Sequence, residues 1–235
     1  MTDLPTLHCA LDPQDPVAAQ CQHAADSPWI LTRDIEGRLN LKDDRQPRQR
    51  PLIIDFHSDD IRRRISGGRK DLLARALGYK KAPWQVLDLT GGLGRDAATC
   101  AGLGMQVTVF ERNPVLAMLL QEAIQRAPEA MAHNLCWGGH QAAPDDWRGA
   151  QAVMYDPMYP GSGNHKGAAP GLQTQQLRAL VGHDEDVEHT FASLRAHPPK
   201  RLAIKRPPRG QRVQLGEPSL SMRGGRVHWD IYLAP

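Results

Sequence analysis

Three short segments of this 235-residue chain carry side chains whose types and spacing could bind a small charged ligand. The first is a glycine-rich turn that begins at Asp88 and contains Gly92 and Gly94. The second is the acid Glu111, and the third is the segment 156–160, which reads Asp-Pro-Met-Tyr-Pro. Each follows a short apolar run. If those runs are neighbouring parallel strands, all three segments lie at the carboxyl edge of one sheet, where open α/β sheets bind ligands.

The acidic residues favour a ligand that has a positive charge and a ribose. Glycines allow a tight turn and let a ligand approach the backbone, because no Cβ intervenes. Asp88 would repel a pyrophosphate but could accept hydrogen bonds from an ammonium group. Glu111 ends the next apolar run, where a carboxylate can accept both hydroxyls of a ribose. S-adenosylmethionine has a ribose and an ammonium but no phosphate, so it fits both carboxylates.

The same turn also fits a dinucleotide. Gly92-x-Gly94-x-x-Ala97 satisfies the nicotinamide fingerprint, in which the N-terminus of the following helix holds a pyrophosphate. An NAD(P)-dependent oxidoreductase therefore stays open as an alternative.

The segment from Asp156 to Pro160 suits chemistry on a flat amine. Its prolines restrict the backbone on either side of Tyr159. Asp156 can accept a hydrogen bond from an exocyclic amine, and Tyr159 offers an aromatic face on which a base gains roughly 1–3 kcal/mol by stacking. Orienting the amine lone pair towards a sulfonium methyl would promote in-line transfer, and a carboxylate would stabilise the growing charge on nitrogen. We therefore predict that Asp156, Pro157 and Tyr159 are catalytic.

The order of apolar runs and helical patterns predicts an α/β fold. We expect a Rossmann-like, mostly parallel sheet with helices on both faces. Strands are expected at 29–31, 38–41, 52–56, 86–89, 106–110, 135–137, 152–155, 201–205 and 227–233, and helices at 71–77, 95–103, 114–126, 173–181 and 184–195. Asn113 is expected to be the N-cap of the helix at 114–126. The last strand is expected to pair with 213–215 in an antiparallel terminal hairpin. Residues 1–80 are expected to form an N-terminal extension with a small hairpin and a basic segment, and 81–235 the catalytic domain.

Composition restricts the class of protein. Hydrophobic residues make up 40% of the chain, which suffices for a packed core, and a net charge of +3 permits a polyanionic partner without requiring one. The four cysteines form no C-x-x-C pair, and the ten histidines show no ligand spacing, so we expect reduced thiols and no metal. We see neither a signal peptide nor an apolar run of about 18 residues, and we expect a soluble cytoplasmic protein with no membrane contact.

Together these motifs resemble the bacterial ribosomal RNA small subunit methyltransferase J family. The resemblance covers roughly residues 51–232. It rests on Asp88-x-x-x-Gly92-x-Gly94-Arg95-Asp96, Phe110-Glu111-Arg112-Asn113-Pro114, Asp156-Pro157-Met158-Tyr159-Pro160, Gly67-Gly68-Arg69, Ile204-Lys205-Arg206-Pro207 and Trp229-Asp230-Ile231-Tyr232. It implies a class I methyltransferase that uses S-adenosylmethionine to methylate N2 of a guanosine in 16S rRNA or the small ribosomal subunit. In the family this nucleotide is guanosine 1516.

The resemblance also assigns residues. It implies that Arg95, Asp96, Glu111, Arg112 and Asp156 contact the cofactor, in addition to Asp88, Gly92 and Gly94. Gly138 and Gly139 stand where the family usually has two serines, and their backbone could replace that contact. The basic residues expected to contact RNA are Arg69, Lys166, Lys205 and Arg206. The glycine pair and a glycine-rich loop after Pro160 keep one further alternative open, an RNA-binding relative with weak catalysis.

Overall fold

The computed structural model of the chain describes residues 6–158, 171–182, 187–206, 216–225 and 227–234. In chain order the strands are β1 (Thr6–Cys9), β2 (Gln22–His23), β3 (Trp29–Arg33), β4 (Leu39–Asp43), β5 (Leu52–Ile53), β6 (Gln85–Asp88), β7 (Gln106–Phe110), β8 (Leu135–Gly139), β9 (Ala152–Tyr155), β10 (Arg201–Arg206), β11 (Leu220–Arg223) and β12 (His228–Leu233). The α-helices are α1 (Asp59–Ser66), α2 (Leu72–Ala76), α3 (Arg95–Gly102), α4 (Pro114–Gln125), α5 (Glu129–Ala132), α6 (Pro144–Arg148), α7 (Leu172–Val181) and α8 (Val187–Ala196).

The larger sheet has the Rossmann-like class I architecture. Within the described residues its strand order is β11-β12-β10-β9-β6-β7-β8. Neighbouring strands from β10 to β8 run parallel, whereas β12 runs antiparallel to both β10 and β11. The predicted parallel α/β sheet with an antiparallel end is therefore confirmed.

The predicted partner of the last strand, the segment 213–215, lies outside the described residues. Within the described residues, β12 pairs antiparallel with β11. β10 occupies the other edge of β12, so both edges are taken. The short turn between β11 and β12 favours their pairing. The Gly224 amide donates to the Val227 carbonyl oxygen at 2.9 Å, and so short a connection closes at little entropic cost.

Successive side chains of the central strands point to opposite faces of the sheet, as the pleat requires. Val86 and Met154 belong to the core that packs against α3 and α4. Leu87 and Val153 belong to a second core that includes side chains from α6 and α8. The sheet is thus covered by helices on both faces, as predicted.

The order of the strands creates a switch point between β6 and β9. From β6 the chain proceeds through α3 to β7 and then to β8 on one side, but β9 enters the sheet on the other side of β6. Loops that leave β6 and β9 therefore diverge, and a crevice opens between their carboxyl ends. Ligands of open α/β sheets bind at such a point.

Residues 6–53 contain a smaller sheet in the order β2-β1-β3-β4-β5. The predicted hairpin is present as β3 and β4, whose turn is fixed because the Asp34 carboxylate accepts from the amides of Glu36 and Arg38. One apolar core contains Leu31 from this sheet together with Leu116 from α4. The boundary at residue 80 stays a prediction, because that core contains side chains from both sides of it.

Local signals fix where several helices begin. The Asn113 side chain accepts from the amides of Val115 and Leu116 at 3.1 Å, so it caps α4 as predicted. The short, strongly charged helix α1 was not predicted, since its sequence lacks the usual apolar repeat. In the described part of the chain we find no helix that combines the length and apolar composition that a membrane span requires.

Arg33 ties the smaller sheet to α4. Its guanidinium donates to Asp15 Oδ1 at 3.1 Å and to Glu122 Oε1 at 3.2 Å. Arg126 also binds the Glu122 carboxylate and donates to the Ile54 carbonyl oxygen at 3.1 Å. The side chains of Asp15 and Glu122 are only 10% and 8% exposed, so each depends on these cations.

We predict that Arg33→Met lowers the free energy of unfolding by about 1–3 kcal/mol, since it leaves two buried carboxylates short of a cation. The hydrogen bond from Arg33 lowers the pKa of Asp15, although burial opposes it. A carboxyl group whose pKa is lower in the folded protein stabilises the fold at pH values above its unfolded-state pKa. This stabilisation is lost as the pH falls through the folded-state pKa. The difference in Tm between wild type and variant should therefore shrink below about pH 4.

Arg62→Met is the matched control, because Arg62 pairs with Asp59 on the exposed surface of α1. It should cost less than about 1 kcal/mol at any pH. Equal losses in the two variants, or a loss in Arg33→Met that persists undiminished in acid, would contradict the role given to Arg33.

Candidate active site

A cavity of about 830 Å³ opens at the carboxyl ends of β6, β7 and β9. Its wall also includes residues of α7, α8 and β10. The predicted site residues that line it are Asp88, Gly92, Arg95, Asp96, Glu111, Arg112, Asp156, Pro157, Lys205 and Arg206. This volume falls within the range of small-molecule sites, and the cavity lies at the switch point of the sheet.

The glycine turn is held against the end of β7 by backbone hydrogen bonds. The Gly91 amide donates to the Phe110 carbonyl oxygen at 2.7 Å, and the Gly92 amide donates to Glu111 Oε2 at 2.7 Å. Gly94 precedes α3 with a φ of 66°, a left-handed conformation that favours glycine. A Cβ on Gly91 would lie 2.7 Å from side-chain atoms of Leu120, so packing as well as conformation requires glycine in this turn.

Glu111 is buried at the end of β7 with its carboxylate fixed by two backbone donors. Its Oε1 accepts from the Asn113 amide at 2.7 Å, and its Oε2 accepts from Gly92. The carboxylate borders the cavity, and each carboxylate oxygen can accept more than one hydrogen bond. The geometry suits the binding of vicinal hydroxyls, the chemistry predicted for this residue.

Asp88 is buried at the end of β6, where it accepts from the Thr90 amide at 3.0 Å. Burial raises the pKa of this carboxyl to about 8, and the nearby carboxylates of Asp96 and Asp156 contribute to the rise. A positively charged group beside it would favour the ionised form. Asp88 is therefore protonated near neutral pH in the ligand-free protein, and a bound cation would favour its ionisation.

The loop after β9 meets the glycine turn directly. The Asp156 amide donates to the Thr90 hydroxyl at 2.7 Å. Pro157 and Met158 then continue along the cavity wall. The two segments that the sequence predicts to lie side by side are therefore adjacent. Tyr159 lies outside the described residues, and its role stays a prediction.

Asp96 and Lys205 form a charged cluster beside the turn. Asp96, in the first turn of α3, accepts from Arg64 Nη1 at 2.7 Å and from Lys205 Nζ at 2.7 Å. Burial alone would raise the pKa of Asp96, but these two cations hold it well below its ordinary value. Lys205 Nζ also donates to Asp156 Oδ2 at 2.8 Å. The cluster links α1, α3, β10 and the loop after β9.

The two predicted arginine contacts also border the cavity. Arg95 begins α3, is exposed, and donates to the side-chain oxygen of Gln173 in α7. Gln173 in turn donates to the Ile53 carbonyl oxygen at 3.3 Å, which connects the cavity rim to the smaller sheet. Arg112 follows Glu111 on the cavity wall.

Gly138 and Gly139 end β8 behind the cavity wall. A Cβ on Gly138 would lie 2.6 Å from both Phe110 Cζ and Thr108 Cγ2, so a serine there requires those side chains to move. Residues 140–143 line the cavity instead. A cofactor contact by the glycine pair stays a prediction.

Among the described residues predicted to contact RNA, Arg69 lies apart from Lys205 and Arg206. Arg69 donates to the Lys80 carbonyl oxygen at 2.9 Å, near the start of β6 and therefore at the opposite end of that strand from the cavity. Lys166 lies outside the described residues. Lys205 and Arg206 are in the cavity wall, where Arg206 is buried and paired with Asp230. Both cations therefore form ion pairs with carboxylates and do not belong to an exposed basic surface.

Several cavity residues carry no sequence signal of their own. The His140 Nδ1 atom lies 3.2 Å from the carbonyl oxygen of Glu111. Trp147, Thr174 and His189 belong to three helices that reach the cavity from different parts of the chain. Only the three-dimensional packing brings them together. Over the described ranges we find no group of three or more His, Cys, Asp or Glu side chains arranged to hold a metal ion.

Comparisons with known proteins agree with this architecture. The model of a family of SAM-dependent methyltransferases matches residues 17–234. The chain is 34% identical over 227 residues to ribosomal RNA small subunit methyltransferase J of Pseudoalteromonas atlantica, covering 87% of this chain and 85% of that protein. It is 37% identical over 222 residues to the protein of the same name from Halorhodospira halophila, covering 86% and 80%. The crystal structure of a SAM-dependent methyltransferase from Neisseria gonorrhoeae is similar with a TM-score of 0.69 and 25% identity, covering 97% and 95%.

Asp88 predicts that cofactor binding depends on pH. In the ligand-free protein its pKa of about 8 leaves the carboxyl protonated at neutral pH. If an ammonium group lies beside Asp88, binding lowers that pKa and releases a proton. Affinity for S-adenosylhomocysteine should therefore rise with pH up to about 8 and then level off, by at most about tenfold per pH unit.

Calorimetry in buffers of different ionisation enthalpy measures that proton release. Asp88→Asn should bind without releasing the proton and with a flatter pH dependence. If wild type and Asp88→Asn show the same pH dependence, the ammonium does not lie beside this carboxyl.

Proposed function

The chain belongs to the ribosomal RNA small subunit methyltransferase J family, and we propose that it methylates the exocyclic N2 amine of a guanosine in 16S rRNA. The methyl donor is S-adenosylmethionine, because the family matched over residues 17–234 is one of SAM-dependent methyltransferases. The shared name of its relatives supports an rRNA substrate. The base, its N2 atom and position 1516 are our inference from the family resemblance. A substrate of this kind would make the protein cytoplasmic.

The observation that carries the proposal is the contact between the two loops of the switch point. The hydrogen bond from the Asp156 amide to Thr90 brings the predicted amine-binding loop against the predicted donor-binding turn. Methyl transfer requires donor and acceptor to approach in line, and pre-set geometry of this kind removes much of the entropic barrier.

We assign the donor's parts by the chemistry of the groups that face the cavity. Glu111 would accept the ribose hydroxyls and Asp88 the ammonium group, while the glycine turn would let the donor approach the backbone. Arg95, Asp96 and Arg112 would complete the donor site. The bound donor supplies an electrophilic methyl group.

The remaining residues would handle the amine. Asp156 lines the cavity, and 46% of its side chain is exposed. It would accept a hydrogen bond from the exocyclic amine, orient the nitrogen lone pair and stabilise the positive charge that grows on nitrogen. Pro157 would keep the loop rigid, and Tyr159 would stack on the base.

The family match weighs against the oxidoreductase alternative, because the chain's family is one of SAM-dependent methyltransferases. The other alternative is an RNA-binding relative with weak catalysis. It differs from our proposal in the rate of methyl transfer, which an activity assay measures directly.

Mass spectrometry of small-subunit rRNA from cells with and without this protein tests the proposal. Cells that lack it should lose one N2-methylguanosine, and wild-type protein should restore it. Loss of a methyl group from a different atom or base would refute guanine N2 while leaving methyltransferase activity intact. Binding of RNA without methyl incorporation at saturating donor would favour the weak relative.

We predict that Asp156→Ala lowers kcat for rRNA methylation by about a hundredfold or more, because it removes the group that orients the amine and stabilises its charge. Initial rates with saturating donor and purified rRNA measure the effect. Asp60→Ala is the matched control, since Asp60 is an exposed acid of α1. Comparable rates for wild type and Asp156→Ala would remove Asp156 from the catalytic machinery.

A further inference from the structure

Lys205 connects two of the carboxylates in the cavity, those of Asp96 and Asp156. It lies on β10, and only 26% of its side chain is exposed. Its ammonium donates to Asp96 Oδ2 at 2.7 Å and to Asp156 Oδ2 at 2.8 Å. The same nitrogen lies 5.7 Å from the ring centroid of Trp229 on β12, which adds a cation–π contact.

Asp156 is therefore held at two points. Its amide is fixed by the Thr90 hydroxyl, and its carboxylate by Lys205. A carboxylate at the start of a loop has a free rotation about its side-chain bonds unless something restrains it. With both contacts in place, the direction of the carboxylate is set relative to β6 and α3.

The carboxyl groups around Lys205 also require its positive charge. Three carboxyl groups, Asp88, Asp96 and Asp156, lie close enough to influence one another, and Arg64 reaches only Asp96 among them. The neighbouring Arg206 is paired with Asp230. Burial would lower the pKa of Lys205, but Asp156 and Asp96 raise it well above its ordinary value, so the ammonium stays charged.

We propose that Lys205 is a positioning residue for methyl transfer, which fixes the Asp156 carboxylate against the donor site rather than binding an RNA phosphate. This role rests on the proposed function. It explains why a basic residue that the sequence assigns to RNA has its charge occupied by two carboxylates inside the cavity. Two of the three donors of the ammonium already bind these carboxylates, so a phosphate would compete with them for its charge.

Lys205→Met tests the role against RNA binding. Without the ammonium, Asp156 loses the contact that orients its carboxylate, and Asp88 and Asp96 lose a cation that lowers their pKa. We expect kcat to fall by about tenfold to a hundredfold. The KM for rRNA should stay within about twofold, and the acid limb of the pH profile of kcat should move to higher pH, so activity partly recovers in alkaline buffer.

Lys200→Met is the matched control, because Lys200 is exposed just before the other end of the same strand. It should leave kcat and the pH profile unchanged. Lys205→Arg retains the positive charge, so we expect it to keep the wild-type acid limb even where its kcat falls. Thermal unfolding of every variant shows whether it is folded.

The outcomes separate the possibilities. A lower kcat with a shifted acid limb in Lys205→Met supports positioning. An unchanged kcat and pH profile with a raised KM for rRNA, and a salt dependence of binding reduced by about one charge, would overturn it in favour of a phosphate contact. If Lys205→Met does not fold, Lys205→Arg decides. An acid limb like that of wild type in Lys205→Arg supports the positioning role, whereas a raised KM for rRNA as its only change overturns that role. Failure of wild type to methylate guanine N2 would instead refute the proposed function.

Discussion

The hydrogen bond between the Asp156 amide and the Thr90 hydroxyl fixes the distance between two loops that leave adjacent parallel strands. Because the strand order reverses between β6 and β9, those loops would otherwise diverge from each other. The contact places the loop after β9 beside the glycine turn at the edge of one cavity. The Gly91 and Gly92 amides hold the same turn against Phe110 and Glu111 at the end of β7.

Electrostatics then set what the cavity can hold. Two carboxyl groups of this partly buried space respond to it in opposite ways. Cations keep Asp96 ionised, whereas burial keeps Asp88 protonated near neutral pH. A cationic group of the donor beside Asp88 would favour the ionised form of that carboxyl. The same cluster secures α1 through Arg64, so part of the N-terminal region contributes to the site.

Local sequence signals predict the frame of the site well. The strand bounds 106–110 and 152–155, the glycine turn and the Asn113 cap depend on neighbouring residues, and each is found where expected. What the sequence alone does not predict depends on contacts between distant segments. Lys205 stands in a basic stretch that looks like an RNA surface, and only the packing of β10 beside β9 reveals its two carboxylates. The short strand β2 has too few residues for a periodic pattern, and β11, which a tight turn joins to β12, was not predicted either.

A crystal structure of the protein with S-adenosylhomocysteine tests the central claim most directly. Our account predicts that the ribose hydroxyls lie within hydrogen-bonding distance of Glu111, the amino group lies beside Asp88, and the sulfur faces the loop that begins at Asp156. Density for the ligand at another edge of the sheet, or with its sulfur turned away from that loop, would contradict the account.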